Sequence, residues 1–355
     1  MERFKESAVQ LVRTRLRPTI AARSAWYEEV QKLLQREEAY IWGTGELGVW
    51  VPLFLRTHGG RAKAFIDAAP VRWGTEIAGL PCLAPTDVPV QEDPLVIIGT
   101  GAYSRAVAEH LSAMGVRRVL DISDFRLNEL FDSIRDAAPD DVAAQVGACF
   151  DILADDASRA VLLAKLRGFF DFEAGFGRQR YYEDVCRGDQ YFQDDLIHFT
   201  EDSVLVDCGA YAGDTLADFL RRGYPFYKYI AYELSRRNYD VLQENMRNVH
   251  GGGTNLAAYA GGGTDKLIAY NCGVGERNEQ ICYDDVISAS SVSSVGISGK
   301  IVRMSDHLRD EPVSFIKMDI EGAEMGALKG AAELIRRRRP DLAICTYHSI
   351  SDLYE

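Results

Sequence analysis

The sequence predicts an α/β protein made of two successive Rossmann-like units with mostly parallel sheets, the first smaller than the second. Three observations carry this. A buried apolar strand runs into a glycine turn and then a helix twice, at 39–48 and at 203–223. In each case a second apolar strand ends in an acid about 20 residues on, Asp67 in the first unit and Glu233 in the second. Two later apolar segments, 313–319 and 342–348, also end in ionisable groups. A strand buried on both faces tolerates charge mainly at its carboxyl end, where doubly wound sheets bind their ligands.

Composition narrows the function classes. A chain of 355 residues suggests two domains with two cores. No stretch is long and apolar enough to span a bilayer, and residues 1–17 are mixed-charge and amphipathic rather than a signal peptide, which predicts a cytoplasmic protein with no membrane partner. The seven cysteines (82, 149, 186, 208, 272, 282, 345) are scattered and lack a Cys-x-x-Cys, so neither a disulfide framework nor a structural zinc site is indicated. A formal charge of −13 argues against wrapping nucleic acid, whose phosphates it would repel. A small or neutral partner fits better.

Residues 1–38 read as a helical arm interrupted near Pro18, suited to packing or to contact within a homodimer. Residues 39–125 form the first Rossmann-like domain. Gly43, Gly45 and Gly48 follow its first strand directly, and Asp67 closes the strand of Ala64, Phe65 and Ile66, at the spacing of a dinucleotide fingerprint. Strand 95–98, a second glycine turn at Gly99 and Gly101, a helix to about Met114, and Val119, Leu120 and Ile122 complete it. Pro52 requires a place in the first turn of its helix. Trp26, Trp42, Trp50 and Trp73 read as core and interface anchors. This domain resembles the nucleotide-sugar-binding half of bacterial sugar acyltransferases, which implies a nucleotide site at Gly43, Gly45, Gly48 and Asp67. A degenerate unit kept for dimerisation fits the same residues.

Residues 126–190 look helical and mixed-charge, with Leu127, Leu130, Ile134, Val142, Val146, Phe150 and Ile152 as the apolar set, and are expected to form a linker and lid. Tyr181, Tyr182 and the segment 190–197 are aromatic and polar together. A helix edge packed on the sheet is the expected reading, one wall of an acceptor pocket the other.

The second domain spans 191–355. Val204, Leu205 and Val206 lead to Asp207, and Gly209 and Gly213 let a ligand approach backbone that a Cβ would shield. The helix that follows carries Leu216, Phe219 and Leu220, stops at Gly223, and offers free N–H groups at its start. Glu233 ends the next strand, where its carboxylate can accept both ribose hydroxyls, and Ser235 is the better placed helix cap. Two Gly-Gly-Gly-Thr repeats (251–254, 261–264) bound a loose connection. Strand 267–272 then brings Asn271 within reach of an adenine edge. Residues 281–300 read as a short strand and a serine-rich loop (Ser288, Ser290, Ser291, Ser293, Ser294), either linker or hydroxyl-lined substrate edge.

Four ionisable groups, Lys317, Asp319, Glu321 and Glu324, crowd the next strand end. Helix-dipole stabilisation accounts for the two glutamates and for Arg336 to Arg339 at the far end of the helix. It does not account for Lys317 and Asp319, which project from a strand too apolar to host idle charges. His348 ends the last strand, beside Asp319. Lys317, Asp319 and His348 are therefore candidate catalytic residues, and Glu321 is kept in the set for its place beside them.

The motifs Val206-Asp-Cys-Gly-Ala-Tyr-Ala-Gly-Asp-Thr, Tyr232-Glu-Leu, Phe315-Ile-Lys-Met-Asp-Ile-Glu-Gly-Ala-Glu, Leu328-Lys-Gly-Ala and Ala343-Ile-Cys-Thr-Tyr-His occur in an order that resembles the FkbM-family methyltransferases over roughly 190–350. The resemblance implies a class I fold, S-adenosylmethionine (SAM) as cofactor, and methylation of an acceptor hydroxyl, often on a sugar or natural product. It places Asp207, Cys208, Gly209, Ala210, Tyr211, Gly213, Asp214 and Thr215 along the SAM turn, Glu233 and Leu234 at the ribose, Asn271 at the adenine, and Asp319 and His348 where methyl meets acceptor. The expected reaction is O-methylation of a sugar, glycan, nucleotide sugar or similar polyol, with Asp319 or His348 as general base. A divalent metal on Asp319 and other carboxylates ranks below the general base, because no second acidic pair shows an obvious spacing. Two rival readings are a nicotinamide-dependent oxidoreductase run by the Gly43 turn and a non-catalytic binding or scaffold protein. One departure stands out: class I enzymes usually add a helix and an antiparallel strand pair after the strand ending at His348, and this sequence reaches Glu355 seven residues later. A shortened chain, or another element over a bare sheet edge, is expected.

Overall fold

The computed structural model describes residues 2–170, 190–250, 266–286, 289–293 and 296–355. They fall into two units, Met1–Cys186 with Ser349–Glu355, and Arg187–His348. The two Gly-Gly-Gly-Thr repeats, Tyr181, Tyr182, Ser288 and Ser294 lie outside the described residues.

The first unit opens with α1 (Glu2–Arg36), which runs through Pro18 without a break. Proline removes one N–H from the ladder, and here the apolar stripe on either side outweighs that loss. Ala8, Val12 and Leu16 pack into a helical core, and Val30 and Leu34 into the core of the sheet. The expected arm is thus integral to the unit. The sheet contains β1 (Glu38–Trp42), β2 (Arg61–Ile66), β3 (Glu76–Ile77), β4 (Leu80–Leu83), β5 (Leu95–Ile98) and β6 (Arg118–Asp121), in the order β3-β4-β2-β1-β5-β6. All pairs are parallel except β3 with β4. That short antiparallel edge was not expected from sequence, since two- and four-residue strands carry almost no periodic signal.

In α2 (Glu46–Thr57) Pro52 sits in the second turn, not the first; only the carbonyl of Gly48 loses its helical donor. Trp73 also departs from expectation, standing partly exposed with its indole N–H on the Asp67 carbonyl at 2.8 Å. After α3 (Ser104–Ala113) come α4 (Ile122–Leu130), α5 (Pro139–Ile152) and α6 (Asp156–Phe170). The expected lid is, over its described part, the helical core of this unit: Val142, Val146, Phe150, Leu163 and Leu166 bury against α1. The last residues belong there too, with Ile350 and Tyr354 in the same cluster.

The second unit is built on β7 (Val204–Cys208), α7 (Asp214–Arg222), β8 (Lys228–Tyr232), α8 (Arg236–His250), β9 (Leu267–Tyr270), β14 (Val313–Met318), α10 (Glu324–Arg338) and β15 (Asp341–Ile344). The strands form one parallel sheet, β15-β14-β7-β8-β9. Val204, Val206 and Cys208 face a core shared with α10, while Leu205 faces Phe219 and Phe315 on the other side. Burial on both faces explains the unbroken apolar run at 204–206. The order reverses between β7 and β14, so the crevice at their carboxyl ends is the expected ligand position.

A second sheet, β10-β13-β11-β12, joins β10 (Gly273–Val274), β11 (Glu279–Val286), β12 (Ala289–Ser293) and β13 (Ile297–Val302), and the short helix α9 (Met304–His307) leads from it to β14. The serine-rich stretch is therefore largely a β-hairpin, neither linker nor loop. Serine's low strand propensity hid it, and cross-strand pairing supplies what propensity does not. No helix of the described residues is long and apolar enough to cross a membrane.

Gly209 has φ +78°, and a Cβ there would lie 1.9 Å from the Asp319 carbonyl oxygen. Gly209→Ala should cost about 2–4 kcal/mol, combining left-handed strain with overpacking against backbone. Gly326→Ala, inside α10 with nothing closer than 4.0 Å, should instead gain about 0.5–1 kcal/mol. Urea unfolding of the two variants checks the opposite signs.

Candidate active site

The turn after β7 reverses handedness three times, at Gly209, Tyr211 (φ +49°) and Gly213 (φ +91°), so backbone instead of side chain lines the crevice. The Gly209 and Ala210 amides both donate to the Tyr232 carbonyl at 3.0 Å, and Asn245 Nδ2 donates to the Ala212 carbonyl at 2.8 Å. Tyr211 and Asp214 are exposed on this turn, whereas Cys208, Ala210 and Thr215 are buried. Cys208 packs in the α10 core with its sulfur 3.7 Å from that of Met304, and burial pushes its thiol well above the ordinary range. Its side chain is part of the core, because strand alternation turns it to the face opposite Asp207.

Asp207 and Lys317 face each other. They are register partners on β7 and β14, both buried, with Lys317 Nζ 2.9 Å from Asp207 Oδ1 and donating to the Gly209 carbonyl at 2.7 Å. The other carboxylate oxygen, Oδ2, accepts the Tyr229 hydroxyl at 2.6 Å. Burial alone would lower the Lys317 pKa, but the Asp207 charge beside it holds it above the usual lysine value. Lys317 is a buried cation beneath the turn, fixed by Asp207 and the Gly209 carbonyl.

Glu233 sits at the end of β8, as expected. Oε2 accepts the Tyr211 amide and Oε1 the Ser235 amide, each at 2.8 Å. Burial raises its carboxyl to about 7 against the lowering effect of those two bonds. Ser235 caps α8 by accepting the Asn238 amide at 3.2 Å. Asn271 donates its side-chain amide to the Glu233 and Leu234 carbonyls at 2.9 and 3.1 Å. Its N–H groups therefore shape the β8–α8 loop and are spent before any adenine could use them.

Asp319 follows β14 directly, whereas His348 does not end the last strand as expected but lies in the loop beyond β15, and the two side chains come together. His348 Nε2 lies 3.6 Å from Asp319 Oδ1 and 3.5 Å from Glu321 Oε2, and Nδ1 lies 3.3 Å from Glu324 Oε1. Glu324 Oε1 also accepts the Ile320 amide at 2.8 Å. Burial by itself would lower the His348 pKa, yet Glu324, Glu321 and Asp319 together raise it above the usual histidine value. Burial pushes the Glu324 carboxyl up, and His348 with the Ile320 amide more than reverses this. Glu321 occupies a left-handed position (φ +57°) three residues ahead of α10 and is not part of the helix. Sequence reasoning missed Glu324, because an acid at a helix start has a sufficient local explanation. Only the fold shows that it faces an imidazole. One ligand-capable atom from each of Asp319, Glu324 and His348 lies within 4.8 Å of the others, so a second acid does have metal-compatible placement.

Tyr347 was missed as well, and Tyr191 was singled out only within segment 190–197, whose alternative reading was a pocket wall. The Tyr191 hydroxyl donates to Asp319 Oδ2 at 2.7 Å, and the Tyr347 hydroxyl reaches both Asp319 oxygens at 2.7 Å. Burial, then Asp319, raises both phenols far above their ordinary values, so they remain donors. Both line a cavity of about 370 Å³ with Gln190, Gln193, Leu196 and Cys345. Segment 190–197 is a turn-rich stretch, not the expected helix edge; Phe192 anchors it in the core and leaves its neighbours to form a pocket wall.

In the first unit, Asp67 Oδ2 accepts the Thr44 amide at 3.0 Å and its hydroxyl at 2.5 Å, and Oδ1 accepts the Ala69 amide at 2.8 Å. The carboxylate that a ribose would need is engaged in pinning the turn of Gly43, Gly45 and Gly48. A Cβ on Gly48 would lie 2.1 Å from the Gly43 carbonyl, so packing of the turn on itself already requires that glycine.

A parallel sheet with a glycine turn after its first strand, an acid after its second and a polar cluster at the order reversal is consistent with a Rossmann-like methyltransferase fold. Residues 207–353 match the family model described as the Methyltransferase FkbM domain. The crystal structure of methyltransferase FkbM from Methylobacillus flagellatus KT is similar in fold, with a TM-score of 0.61 and 23% identity over 96% of this chain and 90% of that one. No curated protein matches the chain.

Lys317→Met removes the partner of a buried carboxylate and should destabilise the protein by about 3–5 kcal/mol. Denaturant unfolding checks this. A stability unchanged from wild type would return Lys317 to the catalytic set.

Proposed function

We propose that the protein is a SAM-dependent O-methyltransferase acting on a hydroxyl of a sugar, glycan, nucleotide sugar or similar polyol. The observation that carries this reading is the cavity beside Tyr191 and Tyr347, whose hydroxyls both fix Asp319 next to His348. Its lining mixes amide, phenol and aliphatic groups, which suits a hydroxylated ring with one apolar face.

The residues present fit the cofactor. The Gly209–Gly213 turn and the start of α7 offer backbone N–H groups, and Glu233 is a costly buried carboxylate that ribose hydroxyls would relieve by hydrogen bonding. When bound, SAM supplies an electrophilic methyl on a sulfonium; the carbon–sulfur bond breaks with its electron pair left on sulfur as the acceptor oxygen–carbon bond forms. The protein's own part is to align the acceptor and remove its proton. Tyr191 and Tyr347 hold Asp319 in place, and Asp319 with His348 forms the pair into which the acceptor proton leaves. His348 serves in its neutral form. Lys317 and Asp207 keep the turn against β14.

Calorimetry should detect SAM binding. Glu233→Ala should weaken it at least roughly tenfold, since a hydrogen-bonded charged group contributes on the order of 1.5–3 kcal/mol. Because Glu233 must be ionised to accept both ribose hydroxyls, affinity should rise from pH 6 through about 7 and level off above it. Glu233→Gln should flatten that profile. His348→Gln and Asp319→Asn should lower kcat by roughly 10²–10⁴ while leaving SAM affinity near wild type. Absence of SAM binding would overturn the proposal.

A further inference from the structure

We infer that Asp319, Glu324 and His348 form a binding site for one divalent cation that contacts the acceptor hydroxyl. The inference rests on the methyl-transfer reading and changes one step of it: the hydroxyl is acidified by a cation, not deprotonated by the imidazole.

Geometry comes first. One donor atom from each of the three side chains lies within 4.8 Å of the others, and first-row divalent ions with ligand bonds of about 2.0–2.3 Å draw such atoms to roughly 3–4 Å apart. A closure of about an ångström therefore suffices. Two donors come from rigid places, Asp319 directly after β14 and Glu324 at the first position of α10.

The second observation is the unsatisfied state of the buried atoms. Glu324 and His348 side chains are 8% and 10% exposed, and Glu324 Oε2 and His348 Nδ1 have no hydrogen-bond partner. Nδ1 faces Glu324 at 3.3 Å, while Nε2 faces Asp319 and Glu321 at 3.6 and 3.5 Å. A neutral imidazole has one N–H and cannot serve carboxylates on both sides. A cation on one nitrogen, with the other N–H directed at a carboxylate, is the arrangement metal-bound histidines adopt.

Charge supports the same conclusion. Three carboxylates surround one imidazole, and the nearby buried ammonium of Lys317 is already held by Asp207. Even a protonated imidazole leaves this half-buried cluster at −2, which a divalent ion balances. One nitrogen and two carboxylate donors suit Mn²⁺ or Zn²⁺. On such an ion the acceptor O–H becomes more acidic; its proton leaves to water, the oxygen–carbon bond forms, and the departing sulfur keeps the electron pair of its broken bond.

The full chain, treated with chelator and dialysed, is titrated with Mn²⁺ and the free ion followed by electron paramagnetic resonance. One Mn²⁺ per chain is expected, with affinity weakened roughly 10–100-fold in Asp319→Asn and in Glu324→Gln. Asp67→Asn, which alters an acid of the first unit, should leave it unchanged. Electron spin-echo modulation from a directly bound imidazole nitrogen should appear in the unmodified protein, a readout that does not depend on any variant folding. Absence of saturable binding up to about 1 mM, where weak carboxylate sites fill, or binding without that nitrogen signal, would overturn the inference. SAM affinity measured in the same chelated samples tests the methyl-transfer reading separately. Methyl transfer that persists with chelator present would leave His348 as the base and remove the cation.

Discussion

The crevice depends on the ion pair between Asp207 and Lys317. Buried ion pairs add little net stability, because desolvation offsets most of the attraction, but leaving one partner alone is costly. Their effect here is geometric. Pairing across β7 and β14 fixes the register of the two central strands, and the same ammonium grips the Gly209 carbonyl. That contact holds the glycine turn against Asp319 at a separation that only glycine permits. The glycine turn and the Asp319 loop are thus held together by one buried interaction at the point where the strand order reverses.

Above this neutral layer lies one that is not neutral. Asp319, Glu321 and Glu324 meet a single imidazole, and the start of α10 lends only its partial positive charge. Tyr191 and Tyr347 both donate to Asp319 and fix the orientation of its carboxylate. The site therefore orients a carboxylate, raises the basicity of an imidazole and keeps a surplus of negative charge beside a pocket of polar and aliphatic groups. Such a site suits an acceptor that must shed a proton.

Much of the fold was legible along the chain. The apolar runs at 204–206 and 313–318, the glycines after β7 and the acid of Glu233 report local facts: two-sided burial, a backbone turned left-handed, and charge allowed only at a strand end. Segments whose stability comes from partners were not legible. The serine-rich hairpin of β11 and β12 and the edge strands β3 and β4 have weak propensity of their own. Pro18 suggested a break that packing on both sides of the helix removes, and Pro52, expected in a first turn, sits in the second.

The sequence by itself determined the parallel-sheet class, the order of its turns and the crevice to which Gly209, Glu233, Asp319 and His348 belong, since each follows from residues within one element and its neighbour. Only the tertiary structure decided what the charged groups do. Strand alternation shows that Lys317 and Asp319 share a face, but not that Asp207 meets one and two tyrosines meet the other. Glu324 carried a complete local explanation at a helix start until His348, 24 positions later, arrived beside it. Chemistry at a strand end is set by distant elements, and the spacing of residues along a chain holds no record of which of them will face each other.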